Sequence, residues 1–176
     1  YIGRRYYSFV HDRDLFIVID NSFPFSFDEK QRKWLENIIK NRKNYRHCFL
    51  FMHVPLYDAR DGNQIDLVPP QGNSRVASYL LEFARNHSIT AIFSAHLHGY
   101  FSGRWNNIPY YVTGGGGAPL LGRDTRHYFL HYLRVFVDEG GFTVTPVMTG
   151  KQPLELGDLF YIYGARCQFL LRKYNK

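Results

Sequence analysis

The sequence has little cysteine and no long apolar run. Two cysteines occur in 176 residues, Cys48 in an apolar segment and Cys167 near the end, and this spacing forms neither a disulfide framework nor a cysteine metal cluster. No stretch approaches the roughly 18 uninterrupted apolar residues of a membrane-spanning helix, and the first residues lack the basic-then-apolar pattern of a signal peptide. The redox compartment, and the choice between cell envelope and cytoplasm, therefore stay open.

Apolar residues are plentiful by contrast. They make up 45% of the chain, and aromatic residues alone make up 18%, enough to bury the core of one domain or a large part of a bigger one. The formal net charge of +7 favours polyanionic partners, such as nucleic acids, anionic membranes and phosphorylated small molecules, without choosing among them. The chain begins with tyrosine rather than methionine, and we expect further sequence upstream of Tyr1.

The first hundred residues alternate strand and helix patterns. Apolar runs predict buried strands at about 15–20, 47–53 and 89–95. A helix from about Phe27 to Arg42 joins the first two strands, and a second helix joins the next pair. Because crossovers of this kind are right-handed, the three strands should lie parallel, with their carboxyl ends at one edge of a sheet.

Each helix has its own signature. Ser26 and Glu29 are three residues apart at the start of the first helix, the spacing with which each side chain can bond the other's free backbone N–H. The second helix carries one apolar stripe at helical spacing. That stripe consists of Val76, Tyr79, Leu80, Phe83, Ala84 and His87.

The pattern changes after His98. Alternating apolar and polar residues with short polar turns predict two β-hairpins and no helix. Residues 151–176 are aromatic and basic, and no motif assigns them a role. The expected architecture is therefore α/β, a βαβαβ unit followed by β-hairpins over residues 1–150, with an extension over 151–176.

Histidines follow two of the parallel strands. His53 comes directly after the second strand, and the segment "HLH" places His96 and His98 after the third. Open α/β sheets place their sites at this edge, and residues two apart in extended backbone point to the same side. Three neutral imidazoles converging there suit a transition metal such as zinc, iron, manganese or nickel.

A family resemblance extends this interpretation. The segment "FLFMHVPLYD", followed about forty residues later by "FSAHLHGYFSGRWNNIPYYVTGGGGAPL", resembles the later half of the calcineurin-like metallophosphoesterases, which include the purple acid phosphatases. That family has a histidine after a strand and then a Gly-His-x-His motif, and here Ala95 replaces the glycine. The similarity spans roughly residues 6–148. It implies half of a β-sandwich flanked by helices.

The resemblance implies a two-metal site in which a bridging hydroxide attacks a phosphomonoester or phosphodiester. His53 and His96 would bind one ion and His98 the other, with manganese, iron or zinc as the metals. The family's earlier motifs, Asp-x-His, Gly-Asp and Gly-Asn-His, are absent, and the last would supply the general-acid histidine. We therefore expect a carboxyl-terminal part of a phosphohydrolase that is inactive alone and has no catalytic general acid of its own.

Other residues are weaker candidates. Tyr57, Asp58 and Arg60 follow His53 in a long loop and would meet a substrate there, since a guanidinium suits phosphate. Asp20 follows the first parallel strand and would orient a metal ligand from outside the coordination sphere. The glycine run "TGGGGAP" either cradles a phosphate or turns the chain near the site, and it lacks the Lys-Ser/Thr of a P-loop.

Two other functions compete with the hydrolase. A non-catalytic basic and aromatic module could bind nucleic acid or an anionic membrane, because segments such as "YIYGARCQFLLRKYNK" interleave rings and cations. A single ion held by three histidines is the other alternative.

Overall fold

The structure, a computed structural model, describes residues 3–22, 27–60 and 74–149. Over these ranges the fold is mixed α/β, with a central sheet and two α-helices, as the sequence predicts. The predicted boundary near residue 150 and the extension over 151–176 lie outside the described residues. The elements in chain order are β1 (Tyr7–His11), β2 (Asp14–Val18), α1 (Glu29–Ile39), a 3₁₀ turn (Arg42–Asn44), β3 (Cys48–Phe51), α2 (Ser74–Asn86), β4 (Ala91–Ser94), β5 (Tyr100–Trp105), β6 (Ile108–Thr113), β7 (His131–Asp138) and β8 (Gly141–Met148).

Six strands form the central sheet in the order β1-β2-β3-β4-β6-β5. The predicted parallel pairing of β2, β3 and β4 is confirmed, and β6 continues it beside β4. Strands β1 and β5 close the two edges as antiparallel partners of β2 and β6. Each of the three parallel strands is shorter than predicted, so Asp20, His53 and Ala95 lie in the loops that follow them.

One face of the sheet packs against both helices. The predicted apolar stripe of α2 is confirmed as far as Ala84: Leu80, Phe83 and Ala84 are buried, and Val76 and Tyr79 are partly buried. The last predicted member, His87, follows the end of the helix at Asn86. Burying a side chain such as Leu80 contributes about 1.5–3 kcal/mol. The strand residues that meet the helices alternate with those of the opposite face, as the two-residue period of a strand requires. They include Leu15, Ile17, Cys48, Leu50, Ile92 and Val112.

The start of α1 differs from the predicted capping box. The side chain of Asp28 accepts the backbone N–H of Gln31 at 2.8 Å, and the helix begins at Glu29. Asp28 rather than Ser26 is therefore the cap, and Ser26 itself lies outside the described residues. None of the helices described is both long and apolar enough to cross a membrane.

The opposite face of the sheet is aromatic. Phe49 and Phe93 are buried there, and the β7–β8 hairpin covers them, with Phe142 in edge contact with Phe49 at 5.5 Å between ring centroids. Towards β1 the cover ends: Phe9 stacks on Phe16 at 4.9 Å and is 48% exposed. Part of this apolar face is therefore open to solvent.

A buried ion pair joins the hairpin turns at the other end of the sheet. Asp14 is 4% exposed and accepts two hydrogen bonds from the Arg46 guanidinium, at 3.0 and 2.6 Å, and one from the backbone N–H of His47. Arg46 also reaches Glu139 in the β7–β8 turn at 3.0 Å. The bonds from Arg46 lower the pKa of Asp14, although burial opposes them, and the His47 N–H adds to the lowering. This pair ties the outer hairpin to the central sheet.

Asp14→Asn should therefore lower stability at neutral pH and flatten its acid dependence. Because the pKa of Asp14 is lower in the folded state, the carboxylate contributes stability above its ordinary pKa, and this contribution is lost as the pH falls through the lowered value. Urea midpoints of both proteins from pH 7 to pH 2 would measure this, with Glu82→Gln at an exposed position of α2 as control. A gap between wild type and Asp14→Asn that is as wide at pH 2 as at pH 7 would contradict the assignment.

Candidate functional site

His53 is positioned by a side chain from the segment that follows the neighbouring strand β2. Directly after β3, the backbone N–H of Met52 donates to the carbonyl of Phe93. The next two N–H groups bond to the side chain of Asn21. The Oδ1 of Asn21 accepts the N–H groups of His53 and Val54 at 3.0 and 2.9 Å, and its Nδ2 donates to the Val54 carbonyl at 2.7 Å. One amide side chain thus holds the backbone of the loop that presents His53, whose own side chain is exposed.

His96 lies in a strained turn directly after β4. Its φ is +56°, in the left-handed region, which costs a residue with a Cβ roughly 1–2 kcal/mol. Short backbone bonds hold the turn, from Leu97 N–H to the Ala95 carbonyl at 2.6 Å and from Ala95 N–H to the His53 carbonyl at 2.9 Å. Strain of this kind clusters at functional sites. Ala95 is not among the residues with positive φ, so replacing the family's glycine introduces no backbone strain at that position.

The His53 and His96 rings face each other across the sheet edge. The Nδ1 of His96 lies 3.3 Å from the Nε2 of His53, with the rings nearly perpendicular. Two nitrogens bound to one ion at about 2.0–2.1 Å in a tetrahedral arrangement are about 3.3–3.4 Å apart. Burial lowers the pKa of His96, and the positive charge of His53 and His98 lowers it further. His96 therefore favours the neutral form, which is the form that binds metals.

His98 has a defined tautomer. Its Nδ1 lies 2.7 Å from the carbonyl oxygen of Pro119, and because a carbonyl can only accept, Nδ1 carries the proton. In the neutral ring Nε2 is then left with a lone pair. Metal-binding histidines are commonly held in this way, by a hydrogen bond from the nitrogen that does not bind the metal.

The structure brings two of the three candidate ligands into contact. Over residues 3–22, 27–60 and 74–149, no group of three or more histidine, cysteine, aspartate or glutamate side chains is arranged to hold a metal ion. The metal-binding role of His53, His96 and His98 stays a prediction.

The glycine run packs against the turn that carries the histidines. A Cβ on Gly114 would overlap the carbonyl of Leu97, and a Cβ on Gly115 would overlap the ring of His131. The amide of Gly114 bonds to the Gly99 carbonyl at 2.9 Å. Close backbone approach explains these two glycines, in agreement with the interpretation that the run turns the chain near the site.

The loop after His53 is well packed as far as residue 60. Asp58 is 2% exposed, and its carboxylate accepts the backbone N–H of Arg60 at 2.9 Å and two guanidinium bonds at 3.0 and 2.8 Å. Burial acts to raise the pKa of Asp58, but the Arg60 bonds outweigh it and lower the pKa. Tyr57 packs edge-on against Trp105. A substrate-binding role for Tyr57, Asp58 and Arg60 stays a prediction.

Asp20 lies at the same edge, beside Asn21. Its carboxylate accepts the hydroxyl of Ser22 at 2.6 Å and faces Arg5 at 3.5 Å. Its backbone N–H and carbonyl both bond to the fully buried side chain of Gln31 in α1, at 2.8 and 2.9 Å. These bonds fix the end of β2, while the suggested role of Asp20 in orienting a metal ligand stays a prediction.

The sequence alone does not single out Asn21. Its position directly after a buried strand was visible in the sequence, and an amide side chain can both donate and accept. The partner, however, lies 32 residues away in the chain. No local pattern encodes a contact of that separation.

Comparison with known proteins finds relatives of the chain among the phosphatases. No family model matches the chain. It is 28% identical over 144 residues to serine/threonine-protein phosphatase CPPED1 of Mus musculus and 26% identical over 145 residues to that of Bos taurus, covering 76% and 77% of this chain and 43% of each relative. The chain is related to the calcineurin-like metallophosphoesterases. It spans less than half the length of these curated relatives.

Solved structures with similar folds agree with this metallophosphoesterase relationship. The purple acid phosphatase PPD1 from yellow lupin (Lupinus luteus) seeds superposes with a TM-score of 0.62 at 14% identity, over 84% of this chain and 31% of that one. GAP50, the anchor in the inner membrane complex of Plasmodium, superposes with a TM-score of 0.61 at 16% identity, over 84% and 50%. These two likenesses concern the metallophosphoesterase fold.

Asn21→Ala should loosen the His53 loop. It removes the acceptor of the exposed N–H of His53 and of the partly buried N–H of Val54, and a buried donor without a partner costs about 1–3 kcal/mol. Amide hydrogen exchange at His53 and Val54 should then rise by about tenfold or more, since about 1.4 kcal/mol corresponds to a factor of ten. The exposed Asn37→Ala in α1 is the control. Unchanged exchange at both amides would refute the positioning role.

Gly114→Ala should displace the turn that carries His96 and His98. The added methyl overlaps backbone that cannot rotate away, and overpacking of this kind costs about 1–3 kcal/mol. Chemical denaturation would measure the loss. Gly116→Ala is a matched control, because a Cβ at Gly116 meets nothing within 4 Å. Equal stability of the two variants would contradict the packing role of Gly114.

Proposed function

We propose that this chain is the carboxyl-terminal part of a metal-dependent phosphohydrolase acting on phosphate esters. The contact between His53 and His96 is the observation that carries the proposal. Two imidazole nitrogens from neighbouring parallel strands meet at 3.3 Å, the separation that suits two ligands of one ion. The relationship to a phosphatase family supports the same chemistry.

The chain's own residues would hold and orient the metal ligands. His53 and His96 would bind one ion, and His98, held through Nδ1 by Pro119, would offer Nε2 to a second. Manganese, iron and zinc all accept such ligands. When bound, two metal ions supply a hydroxide nucleophile at neutral pH and neutralise charge on the phosphorus ester. The contacts of Asn21 and Gly114 would hold the two histidine-bearing loops in fixed positions relative to each other.

We further propose that residues 1–150 are the carboxyl-terminal half of a domain, and that an upstream half of the same protein completes the domain and its site. The chain covers 43% of its curated relatives, and the family's upstream ligand motifs and general-acid histidine are absent from it. The open aromatic face around Phe9 and Phe16 supports a contact with further protein. The 176-residue chain alone should then lack turnover.

A binding module for nucleic acid or an anionic membrane stays the alternative. The net charge of +7 is compatible with it, but the basic segment that suggested it lies in residues 151–176, outside the described part of the chain. A steep loss of DNA or liposome binding with salt would favour this alternative.

The test of the proposal is metal binding at the histidine pair. Addition of Mn²⁺ should broaden the imidazole NMR signals of His53 and His96 before those of other histidines, because a paramagnetic ion acts on its nearest nuclei. His96→Asn should abolish the broadening at His53. Asparagine tolerates the left-handed backbone of this position, so the variant removes the ring without adding strain.

His11→Ala removes an exposed histidine of β1 and is the control for nonspecific binding. Broadening that persists in His96→Asn would refute the metal site. Hydrolysis of p-nitrophenyl phosphate should be undetectable for the isolated chain with Mn²⁺. Turnover that disappears in His96→Asn would leave the metal site standing and refute the need for an upstream half.

A further inference from the structure

A groove lies between the edge strand β1 and helix α1. Its volume is about 660 Å³, within the range of about 300–1,000 Å³ usual for small-molecule sites. On the helix side it is lined by one stripe, Lys30, Trp34 and Ile38, each four residues from the next. On the strand side it is lined by the segment from Arg4 to Ser8.

The groove is strongly basic. Among the described residues that line it, three are cations, Arg4, Arg5 and Lys30, and none carries a carboxylate. Arg5 faces Asp20 at 3.5 Å and Asp28 at 3.7 Å. Arg4 and Lys30 form no ion pair with any residue in the described ranges. Like charges collected in one concavity raise its potential and attract an anion.

The same groove has an aromatic wall. Tyr6 and Trp34 are both half-buried and touch each other at 4.9 Å between ring centroids, which gives the groove a preformed apolar surface. Aromatic rings of this kind stack with nucleobases, and arginine and lysine beside them bind phosphate. A phosphate alone would leave the wall without contact, so the combination favours a ligand that carries both groups.

The cationic end lies at the same sheet edge as the histidines. Strand β1 is antiparallel to β2, and Tyr7 pairs with Val18, so Arg4 and Arg5 stand beside the segment that follows β2. Arg5 contacts Asp20 there. The groove uses none of the candidate metal ligands, and its occupancy does not depend on the phosphohydrolase activity.

We propose that this groove binds an aromatic phosphate of nucleotide size, a nucleoside monophosphate. Arg4 and Lys30 contact the phosphate, and the base lies against Trp34. The site is separate from the His53–His96 pair.

Calorimetric titration of the full chain with AMP tests the proposal, with tryptophan fluorescence as a local report. The sequence has two tryptophans; Trp34 lines the groove, while Trp105 is 3% exposed and stacks on Tyr110. Saturable binding with quenching that is absent in Trp34→Phe is the expected result. The double variant Arg4→Ser with Lys30→Ser should weaken AMP binding at least tenfold.

The matched control is Lys33→Ser with Lys40→Ser, which removes the same charge from exposed positions of the α1 region that do not line the groove. It should bind AMP within about twofold of wild type. Equal weakening in both double variants, or no saturable binding by wild type, overturns the proposal. Adenosine and inorganic phosphate should each bind more weakly than AMP; phosphate binding as tightly as AMP overturns the ligand class.

Discussion

The parallel pairing of β3 between β2 and β4 is the constraint on which the rest of the structure depends. Leu50 is fully buried at the centre, with Ile17 and Ile92 as its register partners. Because parallel strands end at the same edge, this pairing alone brings the segments after all three strands together. His53 and His96 meet for that reason, although 43 residues separate them in the chain.

Backbone contacts from three directions then set the exact positions of the loops. Asn21 binds the loop of His53, the Ala95–Leu97 bond closes the turn of His96, and Gly114 packs against the same turn from β6. The left-handed conformation of His96 persists because these contacts outweigh its cost.

The periodicity of the sequence was sufficient for the parallel strands, both helices and the edge at which the histidines lie. The predicted parallel strands also put His53 and His96 at the same edge of the sheet, because both histidines follow the carboxyl end of a strand. The hydrogen bond that sets the tautomer of His98 is donated to the carbonyl of Pro119, and Asn21 bonds to the backbone of His53 and Val54; neither contact is local in the sequence. The cap of α1 was misplaced because Ser26 and Asp28 are both good capping residues, and only the chain path into the helix decides between them.

The imidazole rings of His53 and His96 could supply only part of the ligands that a metal ion needs. A transition metal takes at least four donors, and two neutral imidazoles supply two of them without offsetting any positive charge. Two ions close together repel each other strongly, and a carboxylate between them is the usual means of holding both. Over the described residues the buried aspartates are already engaged, Asp14 with Arg46 and Asp58 with Arg60. The 3.3 Å separation of the two ring nitrogens suits two ligands of one ion, and the proposed phosphohydrolase chemistry would need anionic ligands in addition to these two imidazoles.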